Sequence, residues 1–414
     1  MPAEEARPPA RQVDPGPQVA AGPKVAPGGQ VAPGGQVARP GTVLMVSGQA
    51  ERYGADRSLR VLAEGLVQRG WQVTVSLPGD GPLAADLATS GVRSAIIDPG
   101  VLRRVNDLRD WAGLLALGLP AAIRHVRSEA RRHDIVHINS VVIAGGLLGA
   151  ALSGKPTVCH LRESFAGHRR QFRAYAQVLR RLPVTYVAVS KAIAAEAAEA
   201  GLGARTVVVH NSIDLAPIPC FDAARDRTEA VLSVGRINDW KGHDILVEAI
   251  ALLRDRGLIV PLRIAGDVYP GGERYRLALE ARVARLGLDT QVELLGFVDD
   301  VASLLASHAI FALPSVRPEP FGLALVEAMA HGMACVATAA GGPAEIVDDG
   351  RTGLLVPPGD ALALAGAIQR LWRDRDLRTR LGRAAATEVR SRFGSDHEVD
   401  RIEALYQSLL ARSA

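Results

Sequence analysis

One stretch decides the fold: Pro318-Glu319-Pro320-Phe321-Gly322-Leu323-Ala324-Leu325-Val326-Glu327-Ala328, which follows a β-rich run ending at Pro314 and enters a helical pattern. Gly322 lacks a Cβ, so a ligand can approach the backbone closely at this position. The amides of Leu323 and Ala324 open the helix and point toward any phosphate placed before it. The stretch therefore predicts a phosphate-binding helix start after a strand.

Two carboxylates flank this helix start. Glu319 lies on the loop before the turn, and Glu327 lies further along the helix. One can reach a ribose while the other reaches a sugar beyond the phosphates. Either glutamate alone is equally consistent with a solvated surface residue. The strand, the Pro-Phe-Gly turn and the spacing together favour a nucleotide-sugar site.

A second loop carries two cations. It reads Ser233-Val234-Gly235-Arg236-Ile237-Asn238-Asp239-Trp240-Lys241-Gly242 and joins a β-rich run to a helical one. A departing diphosphate needs fixed positive charge, which Arg236 supplies as a planar fork and Lys241 as a point charge. Taken by itself, the motif would favour an ordinary basic surface loop.

Outward from these loops, short β-rich runs alternate with helical segments. In the first half the helical segments include 56–69 and 190–200. The β-rich runs there are 42–47, 72–77, 94–97, 135–139, 157–160, 184–190 and 206–210. Such alternation predicts a parallel sheet that helices cover on both faces.

The second half repeats the alternation after a Pro-rich, charged linker at 217–228. Its β-rich runs are 230–235, 262–266, 291–295, 310–313, 334–337 and 353–356, with helices predicted at 243–256, 271–286, 300–306, 322–331 and 360–389. The fold class is therefore α/β, with two doubly wound, Rossmann-like domains facing a central cleft. In such sheets ligands bind beyond the carboxyl ends of the strands.

These patterns divide the chain into five segments. Residues 1–40 form a Pro/Gly/Ala-rich tail, predicted to be disordered because it cannot bury enough apolar surface. Residues 41–214 form the N-terminal, acceptor-side domain, 215–229 a linker and 230–390 the donor domain. The final helix, within 391–414, is expected to cross back to the N-terminal domain.

Composition excludes several classes of protein. With 48% hydrophobic and 22% charged residues, the chain is neither fibrous nor wholly disordered. Cys159, Cys220 and Cys335 are too few and too widely spaced for a disulfide framework or a metal cluster, which favours a reduced, cytoplasmic protein. No secretory signal pattern opens the chain, and its longest apolar stretch, 141–152, is too short to span a bilayer.

Together the motifs resemble the family-4 retaining nucleotide-sugar glycosyltransferases (glycosyl transferases group 1), which have the GT-B fold. The resemblance covers about residues 42–410. The matched motifs are Glu319-x7-Glu327, Arg236-x4-Lys241-Gly242, Ile264-Ala265-Gly266-Asp267, Leu295-Gly296-Phe297-Val298, Glu327-Ala328-Met329-Ala330, Gly341-Gly342-Pro343-Ala344-Glu345-Ile346-Val347 and Val158-Cys159-His160-Leu161-Arg162-Glu163.

The resemblance implies a role for each matched residue. Arg236 and Lys241 would bind the diphosphate, Glu327 the ribose hydroxyls, and Glu319 and His160 the transferred sugar. The remaining donor-binding residues implied are Gly54, Gly266, Phe297, Val298, Phe321, Gly322 and Leu323. Where the family has Gly-Gly, this chain reads Tyr53-Gly54, a departure that affects the contacts expected of that loop.

The resemblance also implies the reaction. A hexose would pass from a nucleotide-diphosphate sugar, a UDP-sugar rather than a GDP-sugar, to a hydroxyl acceptor with retention of anomeric configuration. No cofactor or metal ion is expected, since protein cations stabilise the leaving group. The acceptor would be a lipid-linked or growing cell-envelope polysaccharide, or else a small specialised metabolite. A nucleotide-sugar 2-epimerase on the same fold is the alternative from another class.

Charge is distributed unevenly. The net charge of +4 combines +9 over residues 1–210 with −5 over the remainder. Residues 168–182 form a basic amphipathic segment, and 101–132 is basic as well. Such a helix can contact an anionic membrane at its inner face, or pack its apolar stripe inward. Nucleic acid is a poor partner because no aromatic stacking platform accompanies the basic residues.

A dehydrogenase is unsupported because no Gly-x-Gly-x-x-Gly follows the first β-rich run.

Overall fold

The computed structural model describes residues 40–101, 118–223 and 227–413. The predicted tail, except residue 40, and residues 102–117 of the basic segment 101–132 thus lie outside the described residues. The described chain forms two parallel sheets, the first with strand order β3-β2-β1-β4-β5-β6-β7 and the second with order β10-β9-β8-β11-β12-β13. The strands are β1 Thr42–Val46, β2 Gln72–Leu77, β3 Arg93–Ile96, β4 Ile135–Ile138, β5 Thr157–Leu161, β6 Val184–Ala188, β7 Thr206–Val208, β8 Thr228–Val234, β9 Leu262–Ala265, β10 Val292–Gly296, β11 His308–Leu313, β12 Ala334–Thr338 and β13 Leu354–Val356.

Helices connect the strands. They are α1 Gly54–Gln68, α2 Pro82–Thr89, α3 Leu119–Ala130, α4 Ala144–Ala151, α5 Arg169–Leu179, α6 Lys191–Glu199, α7 His243–Asp255, α8 Glu273–Arg285, α9 Val301–Ser307, α10 Leu323–Ala330, α11 Pro343–Ile346, α12 Ala361–Arg373, α13 Arg375–Arg392 and α14 Ser395–Ser413. The central strands are buried on both faces, as in β1, where Val43 to Val46 are each 0% exposed. The predicted fold class, two doubly wound parallel-sheet domains, is confirmed.

One predicted helix is wrong in its extent. The sequence suggested a single helix over 360–389, whereas the chain forms α12 and α13 with a break at Asp374. Asp374 has extended backbone angles, φ −113° and ψ 95°, and its carboxylate accepts a hydrogen bond from the amide of Leu377 at 2.8 Å. An aspartate at this position caps a new helix, which explains the break.

The last helix, α14, packs against α1, which connects β1 and β2 of the first sheet. Val399, Ile402 and Tyr406 are buried in the core formed by β1, β2 and α1. The indole nitrogen of Trp71 donates to Glu403 at 2.9 Å, so polar contacts as well as apolar ones attach this helix. Burial of its apolar stripe provides the main stabilisation.

The basic helix α5 presents its apolar stripe to the protein interior. Phe172, Ala176 and Leu179 are buried, and the ring of Phe172 stacks on that of Phe165 with centroids 3.9 Å apart. Its arginines lie on the exposed face. Of the helices in the described ranges, none has the length and apolar character needed to cross a membrane.

Candidate active site

The candidate site lies where the carboxyl ends of the two sheets face each other. Contacts across the cleft begin at the loop before α1. The rings of Tyr53 and Tyr269 meet edge to face, with centroids 5.4 Å apart. A Cβ on Gly54 would lie 3.8 Å from the side chain of Leu323, which places the first residue of α1 beside the start of α10.

Arg236 follows β8 and lies between two aromatic rings. Its guanidinium carbon is 3.5 Å from the ring centroid of Tyr269 and 4.7 Å from that of Tyr53. Such cation–π contacts fix the orientation of the planar group. Burial lowers the pKa of Arg236, and its Nε has no hydrogen-bond partner among the described residues. The Arg236 guanidinium is therefore held in one orientation, while its Nε–H donates no hydrogen bond among the described residues.

Lys241, on the same loop, pairs with Glu319. Its Nζ is 3.0 Å and 2.8 Å from the two carboxylate oxygens, and Ser315 donates to the same carboxylate at 2.8 Å. The loop is fixed by Asn238, whose side-chain oxygen accepts from the amides of Trp240 and Lys241 at 3.1 and 3.0 Å. The loops after β8 and β11 thus meet through a hydrogen-bonded ion pair.

Gly242 explains why these two loops can lie so close. A Cβ on Gly242 would lie 2.0 Å from the carbonyl oxygen of Pro314, and its φ is +71°. Both the contact and the left-handed backbone require glycine. The Lys-Gly pair of the motif therefore brings the cation of one loop to the carboxylate of the other.

The predicted helix start is present at α10. Gly322 adopts φ +103°, so its backbone angles, rather than a steric clash at Cβ, require glycine. The amides of Leu323 and Ala324 are the first of the helix and, as at any helix N-terminus, have no carbonyl one turn before them. Phe321 is 3% exposed and its ring packs on His210 and Phe393, which leaves only its backbone available to a ligand.

Glu327 is reached from the opposite domain. Its carboxylate forms an ion pair with Arg57, which lies in the first turn of α1. Glu327 is 8% exposed, and burial lowers the pKa of Arg57. The carboxylate that the sequence assigned to a ribose is therefore hydrogen-bonded within the protein in this structure.

The remaining predicted donor residues line the far end of the cleft. Gly266 has φ +139°, and a Cβ there would lie 2.1 Å from the carbonyl oxygen of Gly235, so the ends of β8 and β9 can only approach with glycine. Phe297, after β10, is 60% exposed, and Val298 beside it is half-buried. An exposed ring at this edge is suited to stacking on a planar base.

His160 belongs to a buried polar network at the end of β5. Its Nδ1 is 2.9 Å from His137 Nε2 and 3.1 Å from Arg162 Nη2, and its Nε2 has no hydrogen-bond partner among the described residues. Burial, followed by the charge of Arg162, lowers the pKa of both histidines, that of His137 to about 3. Both rings are therefore neutral.

A buried carboxyl group lies nearby. Asp56 is 2% exposed, and burial raises its pKa to about 7, against the lowering effect of the Tyr53 backbone amide. Raised carboxyl pKa values cluster at functional sites. The charges of Arg162 and Arg236 act in the opposite direction, which places Asp56 in the electrostatic field of the site.

Sequence reasoning gave no role to Tyr53, Tyr269, Arg57 or Asp56. Their only signal in the sequence is position: Tyr53, Asp56 and Arg57 lie within three residues of Gly54 at the start of α1, and Tyr269 lies just beyond Gly266. These residues contribute to the site through contacts between the two domains, and no local pattern in the sequence indicates such contacts. Within the described ranges, no group of three His, Cys, Asp or Glu side chains is placed to hold a metal ion.

Comparison with known proteins identifies the family. Residues 53–217 match the family model described as Glycosyltransferase Family 4, and residues 221–388 match Glycosyl transferases group 1. The chain is 31% identical over 329 residues to the lipopolysaccharide core biosynthesis mannosyltransferase LpcC of Rhizobium leguminosarum bv. viciae, covering 77% of this chain and 89% of that protein.

Two further similarities extend over most of the chain. The glycogen synthase of Mycobacterium tuberculosis is 31% identical over 334 residues, covering 75% of this chain and 78% of that protein. The crystal structure of Anabaena HepE in complex with UDP-glucose superimposes with a TM-score of 0.77 at 25% identity, covering 89% of this chain and all of that one, 100%. The chain therefore belongs to the family-4, group 1 glycosyltransferases and has their GT-B fold.

Proposed function

We propose that this glycosyltransferase is a hexosyltransferase that moves a sugar from a UDP-sugar to a hydroxyl acceptor with retention of configuration. The observation that carries the proposal is the meeting of Lys241, Glu319 and the start of α10 at one point of the cleft, with Arg236 on the same loop as Lys241 and oriented by two tyrosine rings. The complex of Anabaena HepE with UDP-glucose supports a UDP-sugar as donor over a GDP-sugar.

In this proposal the cations stabilise the departing diphosphate. Arg236 and Lys241 supply two positive charges, and the amides of Leu323 and Ala324 add the positive end of a helix. These groups are fixed before the reaction, by aromatic stacking and by the pair with Glu319. Little reorganisation is then required as negative charge develops on the leaving group.

The carboxylates serve the donor rather than acting as a hydrolytic pair. A glycosidase needs two carboxyl groups free to flank the glycosidic bond. Glu319 is paired with Lys241, and Glu327 with Arg57, so both carboxylates are already engaged by cations. Glu319 would contact the transferred sugar, and Glu327 would exchange Arg57 for the ribose hydroxyls when the donor binds.

The proposal includes retention of configuration and independence of a metal ion. The acceptor would attack from the face on which the nucleotide departs, and the leaving phosphate would take the acceptor proton. The acceptor we favour is a lipid-linked or growing polysaccharide at the inner face of the membrane, with the exposed arginines of α5 facing anionic lipid. The lipopolysaccharide core function of the Rhizobium relative supports this acceptor class.

Donor binding is tested by thermal unfolding with UDP, GDP, dTDP, ADP and NAD. We expect UDP to stabilise the wild type by about 2.7 kcal/mol at a hundred times its dissociation constant. Arg236→Ala should lose this stabilisation. Arg274→Ala is a matched control, because Arg274 also lies over a tyrosine ring, that of Tyr275 at 4.7 Å, in α8 outside the cleft. Stabilisation by NAD alone, or equal stabilisation of Arg236→Ala and Arg274→Ala by UDP, would contradict the proposed site.

Stereochemistry and metal dependence are tested on the transfer reaction itself. With UDP-glucose as donor, proton NMR of the product should show the α-anomeric coupling of the donor, and initial rates should be unchanged in EDTA. A β-linked product would exclude retention. A loss of rate in EDTA that is restored by a divalent cation would exclude metal independence.

A further inference from the structure

A chain of three buried side chains connects the last helix to the end of β5. The Tyr406 hydroxyl hydrogen-bonds Nδ1 of His137, and Nε2 of His137 lies 2.9 Å from Nδ1 of His160. All three side chains are 0% exposed. The chain ends at His160 Nε2, a buried atom with no hydrogen-bond partner among the described residues.

Such a chain can run in either of two directions. A hydroxyl and a neutral imidazole each donate one hydrogen bond and accept another. If Tyr406 donates, the proton of His137 lies on Nε2 and that of His160 also lies on Nε2. If Tyr406 accepts, both protons move to Nδ1, and His160 Nε2 carries a lone pair. The two directions therefore present opposite hydrogen-bonding groups at the end of the chain.

Arg162 removes this ambiguity. Its Nη2 lies 3.1 Å from His160 Nδ1, and a guanidinium group can only donate. His160 Nδ1 must therefore carry a lone pair, which places the proton of the ring on Nε2. The guanidinium cannot turn away, because Nε donates to Asn139 at 3.0 and 3.1 Å and Nη1 donates to Asn211 at 2.6 Å.

Charge compensation keeps Arg162 in this place. The side chain is buried, and removal from water lowers its pKa. Glu398, Glu163 and Asp56 surround it and oppose that effect, in this order of strength. Glu398 itself is fixed by the amide and hydroxyl of Ser212, at 2.8 and 2.6 Å. Four hydrogen bonds and the neighbouring carboxylates hold the buried Arg162 in one position, from which it donates to His160.

We propose that Arg162 is a positioning residue that orients the Tyr406–His137–His160 chain, so that His160 presents its Nε2–H as a hydrogen-bond donor to a hydroxyl oxygen of the donor sugar. The proposal rests on the role given to His160 in the proposed function. A buried donor without an acceptor is destabilising, and an incoming hydroxyl oxygen would provide that acceptor. The carboxyl end of β5, where His160 lies, faces the cleft.

The first test determines the histidine tautomers of the wild-type protein. In full-length protein labelled with 15N-histidine, multiple-bond proton–nitrogen correlation distinguishes the two tautomers of each ring, and His160→Gln and His137→Gln assign the signals. We expect both histidines to be neutral with the proton on Nε2. Finding the proton of His160 on Nδ1 in the wild type would overturn the proposal.

The second test changes Arg162. In Arg162→Gln the amide can donate or accept, so we expect His160 to show both tautomers and kcat/KM for the UDP-sugar to fall about tenfold. UDP should bind as in the wild type, because UDP lacks the transferred sugar that His160 would contact. Arg162→Lys keeps a donor-only cation and should restore the single tautomer and most of the activity. A folded Arg162→Gln with only the Nε2–H tautomer would contradict the proposal.

Two further variants separate positioning from stability. Tyr186 is a matched control for Tyr406, since it is also 0% exposed and donates to the carbonyl of Leu179 at 2.8 Å, outside the chain. Tyr406→Phe should shift the nitrogen signals of His137, whereas Tyr186→Phe should not. Normal transfer by His160→Gln would overturn the contact with the sugar and that part of the proposed function, while the tautomer of the wild-type ring would stand as measured.

Discussion

Replacing Lys241 by alanine is expected to lower kcat for sugar transfer by about a thousandfold. Removing one preorganised donor from a site of developing negative charge typically costs about 100- to 1,000-fold in rate. Here the loss also leaves Glu319 with Ser315 as its remaining side-chain hydrogen-bond donor among the described residues. An uncompensated carboxylate then lies beside the diphosphate and repels it, which places the effect at the upper end of that range.

The measurement is the initial rate of UDP release with acceptor present. Lys155→Ala is the control, because Lys155 precedes β5 at the amino end of the strands, away from the cleft. Lys241→Arg retains the charge with a different shape and should recover part of the rate. Adding Glu319→Gln to Lys241→Ala should restore some affinity for UDP by removing the repulsion. Normal turnover by folded Lys241→Ala would show that the diphosphate binds elsewhere.

The fold could be predicted from the sequence because its signal is local. Within the part of the chain that the structure describes, each of the thirteen strands coincides with a β-rich run, since strands buried on both faces appear in the sequence as short apolar segments. The exception was the region 360–389, where helical periodicity continues through Asp374 although the backbone does not. A helix cap depends on one side chain's hydrogen bond, and aspartate is also common on exposed helix faces.

Of the candidate site, only the residues that belong to the sequence motifs could be predicted. Gly242 and Gly322 carry a readable signal because their backbone angles exclude other residues. Arg57, by contrast, lies 270 positions from its partner Glu327. Nothing in the local pattern around Arg57 indicates that it crosses the cleft. The same is true of Tyr406 and His137, whose contact depends on how α14 packs.

Asp56 makes stability depend on pH in an unusual direction. Burial raises the pKa of the Asp56 carboxyl group from 3.8 to about 7 against the lowering effect of the Tyr53 backbone, and its Oδ2 has no hydrogen-bond partner among the described residues. In the unfolded chain the group ionises near its ordinary value. Between these two pH values the folded protein binds one more proton than the unfolded chain, so stability falls as pH rises.

Asp56→Asn should therefore stabilise the protein most at alkaline pH. The difference between the two pKa values corresponds to about 4 kcal/mol at pH 8 and falls below about 1 kcal/mol at pH 4, where the folded wild type is protonated and the unfolded chain is about half ionised. Urea unfolding of wild type and variant from pH 4 to pH 8 measures this difference. Asp360→Asn, at the exposed N-cap of α12, is the control for removing a carboxylate from the start of a helix without removing a buried group. A constant difference across the range would mean that Asp56 is ionised in the folded protein, with Arg162 and Arg236 outweighing its burial.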